Sequence, residues 1–147
     1  MPGTTSLIGP SFEHATVADA MRVGILTCPA DTSLRAIAEM MASYRVHAVI
    51  VEGARSELGA SGAQPWGIVS DAELVLAAAG GRLQATAGEL AGSGAIFVNP
   101  ANELKHAAEL MGKHGVSHLI VSATPTARPV GIISTLDLAG VLAWGKG

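Results

Sequence analysis

Two stretches of the chain place a hydroxyl and a carboxylate three residues apart at the end of an apolar run. One is Gly131-Ile132-Ile133-Ser134-Thr135-Leu136-Asp137-Leu138, and the other is Gly67-Ile68-Val69-Ser70-Asp71-Ala72-Glu73-Leu74. In each, a glycine and two β-branched residues predict a buried strand. The Ser-x-x-Asp or Ser-x-x-Glu that follows predicts a helix starting at once. A helix start leaves backbone N–H groups without partners and carries the positive end of the helix dipole, which favours phosphate. A carboxylate there would repel phosphate directly, but it can accept hydrogen bonds from the donors of a polar ligand. The pair therefore has two readings. It is a capping box, worth about 0.5–2 kcal/mol per cap, or it holds a polar ligand at the helix end.

The elements that must position these groups follow from periodicity. Thr16-Val17-Ala18-Asp19 is a capping box for a short helix running to about Met21. Val23–Thr27 reads as a short strand or extended segment and Pro29–Ser33 as a turn. Leu34, Ile37, Ala38 and Met41 lie on one face of a helix spanning about Ser33–Arg45. Val46–Val51 is a strand whose run Ala48-Val49-Ile50-Val51 lacks polar alternation, so both faces are expected to be covered. Glu52–Pro65 is rich in Gly, Ala and Ser and reads as an exposed, mobile loop. Trp66–Val69 then feeds the first motif, whose helix ends at Gly80-Gly81.

After that double glycine the pattern starts again. Thr86-Ala87-Gly88-Glu89 is a capping box, Ala95–Val98 a short apolar run and Pro100-Ala101-Asn102 a turn. Leu104, Ala107, Ala108 and Met111 repeat the helical face, and Val116–Val121 repeats the strand. A shorter loop, Ser122–Pro129, leads through Val130–Ile133 to the second motif. Residues 34–51 match residues 104–121 at a constant offset of 70, with seven of eighteen positions identical. This is an internal duplication. The expected organisation is a tail over residues 1–14, a first unit over 15–81 and a second over 82–147. A unit this small is marginal alone, so the two are expected to pack face to face with pseudo-twofold symmetry.

Composition bounds the function. The chain has 147 residues, 49% of them hydrophobic and 14% charged, where about 25% charged is usual. Such a surface shows many small apolar groups, or covers some of them in an oligomer. The net charge is −3 with no basic run, which argues against nucleic acid. A single cysteine, Cys28, excludes an intramolecular disulfide and fits a reducing, cytoplasmic setting. Met1–Pro10 has neither a positive n-region nor an apolar h-region, so no signal peptide is expected. No apolar stretch approaches the roughly 20 residues of a membrane helix.

Enzyme chemistry finds no support. There is no P-loop and no G-x-S-x-G. Cys28 has no paired His motif and reads as a buried structural thiol. His106, His114 and His118 raise the question of a metal. Gly115 is expected to end the helix between His114 and His118, so the two do not share a face, and no metal is expected.

With the duplication in hand, the sequence resembles a tandem pair of cystathionine-β-synthase (CBS) domains, a Bateman module. In the first unit the residues that carry the resemblance are Val17-Ala18-Asp19-Ala20-Met21, Pro29-Ala30-Asp31-Thr32-Ser33-Leu34, Val46-His47-Ala48-Val49-Ile50-Val51 and Gly67-Ile68-Val69-Ser70. In the second they are Pro100-Ala101-Asn102-Glu103-Leu104, Gly115-Val116-Ser117-His118-Leu119-Ile120-Val121 and Gly131 to Asp137. The resemblance covers about residues 15–143. It implies an α/β (α+β) fold with a βαββα unit in each half, and clefts between the units that bind adenosine-containing ligands. It also implies a homodimer and regulation of another protein, here unidentified, by AMP, ADP, ATP, S-adenosylmethionine or NAD. No catalytic cofactor is implied.

The resemblance assigns Ser134 to phosphate and Asp137 to the ribose diol, with Gly131, Thr135, Val116 and His118 beside them. His118 reads equally well as a half-buried strand residue. The counterpart site has Thr27, His47, Ala48, Ser70 and Glu73. Two departures stand out. Ile50 and Ile120 occupy positions where the family often has proline, and Glu73 stands where it has aspartate. Arg22, Arg45, Lys113 and Arg128 are phosphate-partner candidates, each also readable as a solvated surface charge. A ligand-free dimerisation module with degenerate clefts is the alternative function.

Overall fold

The computed structural model describes residues 11–53, 66–91 and 95–145. Residues 1–10 of the expected tail and 54–65 of the expected loop lie outside the described residues. The first repeat comprises α1 (Val17–Ala20), β1 (Thr27–Pro29), α2 (Leu34–Tyr44), β2 (Ala48–Glu52), β3 (Trp66–Ser70) and α3 (Asp71–Ala79). The second comprises α4 (Ala87–Ala91), β4 (Phe97–Val98), α5 (Leu104–His114), β5 (His118–Val121), β6 (Gly131–Ser134) and α6 (Thr135–Trp144). After its leading short helix, each repeat is βαββα, as expected.

Among the described residues these strands form two three-stranded sheets, ordered β1-β2-β3 and β4-β5-β6. The first pair in each is parallel and bridged by the long helix, and the second pair is antiparallel. The first strand only overlaps the end of the apolar run read as a strand or extended segment. It is Thr27–Pro29 rather than Val23–Thr27, and Val23 is exposed. The parallel register pairs Thr27 with Ile50 and Cys28 with Val51, which puts Cys28 into the core. Pro29 closes the strand, lacking an N–H to continue the ladder. Burial pushes the Cys28 thiol above its ordinary pKa, against a lowering hydrogen bond with Thr32 and with a smaller raise from Asp31, as befits a structural cysteine.

The chain divides into two compact units whose membership is not that of the repeats. Ile25–Ala95 forms one, and the described residues up to Gly24 together with those from Ile96 form the other. The short helix leading each repeat is therefore built into the unit of the other repeat. Backbone hydrogen bonds show the exchange at a constant offset of 70. Val17 and Ala18 donate to the carbonyls of Asn102 and Pro100, while Ala87 and Gly88 donate to those of Thr32 and Ala30. Leu104 donates to Ala15, and Leu34 to Ala85. The first N–H groups of a four- or five-residue helix, which it cannot satisfy itself, are thus met by the turn before a long helix.

Each unit has its own core. One centres on Ile37, Val49, Val51 and Val69, the other on Leu104, Leu119, Val121 and Ile133. Ile50 and Ile120 are fully buried too, and their N–H groups donate to Leu26 and Ile96. Proline at either position would lose that bond.

The two long helices end alike. Gly115 caps α5 with φ 63°, and at the same offset Arg45 caps α2 with φ 55°. This left-handed conformation costs a non-glycine residue about 1–2 kcal/mol, partly offset by the greater chain entropy glycine loses on folding. Arg45→Gly should therefore stabilise the protein by about 0.5–1 kcal/mol. Urea unfolding should show a higher midpoint with an unchanged slope; a lower midpoint would mean that the Arg45 side chain contributes more than its backbone costs.

Candidate functional site

The site around Asp137 is assembled from α6, β6 and the segment after α1, all within one compact unit. Ser134 is the last residue of β6 and the N-cap of α6, with extended backbone. Its hydroxyl accepts the Asp137 N–H at 3.2 Å and donates to Asp137 Oδ2 at 3.0 Å. Its own N–H donates to the same Oδ2 at 2.9 Å. The reciprocal capping box read from the sequence is present. Ser70 and Glu73 form the equivalent at α3, with Ser70 N–H to Glu73 Oε1 at 2.7 Å.

The second oxygen distinguishes the two motifs. Asp137 Oδ1 receives the Nε of Arg22 at 3.0 Å. The aspartate side chain is only 7% exposed, while that of the arginine is 69% exposed. Arg22 is held beside β6 by its backbone: its N–H donates to Ile132 at 2.8 Å and its carbonyl accepts from Ile132 at 3.0 Å. Gly131 makes this approach possible. A Cβ there would sit 2.7 Å from the Arg22 carbonyl oxygen and 3.1 Å from Met21 Sδ. The motif glycine thus admits a neighbouring backbone, and through it sets where Arg22 lies. Beside the ion pair, a cavity of about 290 Å³ opens between α1 and α6, lined among others by Asp19, Ala20, Arg22, Asp137, Val141 and Trp144.

Several of the expected residues gather here. Register places His118 opposite Ser134 across β5 and β6. The His118 Nδ1 is 2.9 Å from Ser117 Oγ, and the Thr135 N–H donates to the Ser117 carbonyl. Val116 is half-buried just before β5. Gly131 lies instead at the far end of β6, opposite Val121.

In the other unit Ala48 pairs with Ser70, and the Asp71 N–H donates to the His47 carbonyl. The ring of His47 meets Asp71 at 2.9 Å between Nδ1 and Oδ2. Thr27 sits further along, opposite Ile50. Asp71 was not foreseen, since nothing in the spacing marks the first helical residue as a partner for His47. Arg22 was one of four candidates. Lys113 is in the last turn of α5, complementing the helix dipole, and Arg45 is at a helix C-cap. Among the described residues, no group of three or more His, Cys, Asp or Glu could hold a metal ion, and no helix is long and apolar enough to cross a membrane.

The family model for the CBS domain matches residues 17–80 and again residues 87–143. The chain belongs to the CBS domain family. Solved structures of CBS proteins share its fold. The CBS domain pair of protein MJ0100, in complex with 5′-methylthioadenosine and S-adenosyl-L-methionine, is 18% identical with a TM-score of 0.73, the match covering 88% of this chain and 96% of that one. The CBS domain protein PAE2072 from Pyrobaculum aerophilum, complexed with AMP, is 23% identical with a TM-score of 0.70, covering 88% and 98%. A hexameric CBS-CP12 protein from bloom-forming cyanobacteria is 21% identical with a TM-score of 0.72, covering 85% and 69%. No curated protein matches the chain.

Proposed function

We propose that this CBS pair is a regulatory module, not an enzyme, that binds an adenosine nucleotide beside Ser134 and Asp137. The observation that carries the reading is the Asp137 carboxylate: nearly buried, at a helix N-terminus, with one oxygen held, among the described residues, by an exposed arginine. A ribose diol can take that oxygen while the cap on the other oxygen stays intact. The AMP, 5′-methylthioadenosine and S-adenosyl-L-methionine complexes of similar folds support adenosine as the ligand class. Ser134 is committed to the cap, so the exposed Thr135 and Arg22 are the better placed groups for a phosphate. Glu73, exposed and one methylene longer, offers the counterpart site for a second, weaker ligand.

The module acts as a homodimer in this reading. Val75 and Leu76 are exposed on α3 of one unit, and Leu136, Leu142 and Trp144 on α6 of the other, and each apolar helix face is of the kind that a partner subunit covers. The same faces support the second reading, an association module that binds no ligand. Thermal unfolding with AMP, ADP, ATP, S-adenosylmethionine and NAD separates the two. Ligand at a hundred times its Kd stabilises by about 2.7 kcal/mol, so at least one nucleotide should raise Tm by several degrees. No rise with any of them at millimolar concentration would leave the association module standing.

A further inference from the structure

We infer that Arg22 is a latch on Asp137, and that it selects ribonucleosides carrying a 5′-phosphate over uncharged ones; the inference rests on the nucleotide reading above. Both carboxylate oxygens of Asp137 are occupied. Oδ2 belongs to the cap, whose loss would uncap α6. Oδ1 is therefore the atom a diol must win, and its occupant is Arg22 Nε at 3.0 Å. The exchange is permitted because the arginine side chain is 69% exposed, and such ion pairs are weak.

What happens to the displaced guanidinium sets the selectivity. Its backbone is fixed to Ile132 through both the N–H and the carbonyl, so the side chain pivots without leaving the site. An uncharged nucleoside takes Oδ1 and returns nothing to the arginine. A 5′-phosphate lies one furanose ring from the diol and accepts the guanidinium in a charge-assisted, forked contact. One ligand thus unfastens the pair and satisfies both of its members. The latch is not repeated in the sequence: at the offset of 70 that relates the repeats, Arg22 corresponds to Gly92.

The test is calorimetric titration of AMP, adenosine and 5′-methylthioadenosine into the full chain and into Arg22→Ala. The parent should prefer AMP. In Arg22→Ala the two uncharged nucleosides should tighten by about two- to fivefold, because their competitor is gone. AMP should weaken by about tenfold or more, because its phosphate partner is gone. Arg22→Lys should recover only part of the AMP affinity, because an ammonium keeps the charge but not the fork. Opposite signs for charged and uncharged ligands are the signature. If AMP and the nucleosides weaken together in Arg22→Ala, or neither changes, the latch is wrong while the nucleotide reading stands. If none of the three binds the parent, the latch is wrong; the nucleotide reading falls with it only if ADP, ATP, S-adenosylmethionine and NAD fail to bind as well.

Discussion

Gly131→Ala should lower the free energy of unfolding by about 1–3 kcal/mol, the usual cost of overfilling a packed site. The new Cβ would lie 2.7 Å from the Arg22 carbonyl oxygen, a backbone atom, and 3.1 Å from Met21 Sδ. A flexible side-chain end could turn aside, but this carbonyl is half of the paired hydrogen bonds between Arg22 and Ile132. Relief of the clash means separating the Met21–Arg22 segment from β6, and the Arg22–Asp137 ion pair goes with it. The substitution should therefore also weaken AMP binding, although Gly131 touches no ligand group in the account given above. Gly112 is the control. It lies inside α5 with open space where a Cβ would go. Gly112→Ala should stabilise by up to about 1 kcal/mol, through helix propensity alone. Urea unfolding of both variants decides the matter; equal effects of the same sign would refute the steric role of Gly131.

The units could be read from the sequence because their determinants are local. Leu34, Ile37 and Met41 fall on one helical face and are the buried residues of α2. Leu104, Ala107 and Met111 do the same for α5. Ser-x-x-Asp and Ser-x-x-Glu mark helix starts, and both capping boxes form. The glycine following His114 announces a left-handed cap, whereas Arg45 announces nothing, and only its place in the repeat hints at the same conformation. The bounds of the first strand are not legible, because Val23, Ile25 and Leu26 make an apolar run, yet register against β2 begins only at Thr27. Hydrophobicity showed that something there is extended; which residues pair was settled by the partner strand.

The site was legible only in its local half. Ser134 and Asp137 are three residues apart and could be paired by inspection. Arg22 and Asp137 are separated by 115 residues, and their meeting depends on α1 packing into the unit of the other repeat. Periodicity within a repeat says nothing about which unit its leading helix joins. His47 and Asp71, 24 residues apart, meet for a similar reason. The backbone bond from Asp71 to His47, set by the β2–β3 register, brings their side chains together.

The largest effect on binding is expected at Asp137. Asp137→Ala removes the acceptor proposed for the ribose diol, a charge-assisted bond worth about 1.5–3 kcal/mol, which is roughly 10- to 150-fold in Kd. Residual binding should persist, because Arg22 remains to meet the phosphate. Asp137→Asn separates binding from folding. Its amide oxygen can still accept the Ser134 N–H, so the start of α6 is kept while the charge is lost. The most direct measurement is calorimetric titration of AMP into the parent, Asp137→Ala and Asp137→Asn, with circular dichroism verifying that all three are folded. The account predicts saturable binding to the parent and a loss of about tenfold or more in both variants. An AMP affinity in folded Asp137→Ala equal to that of the parent would contradict it.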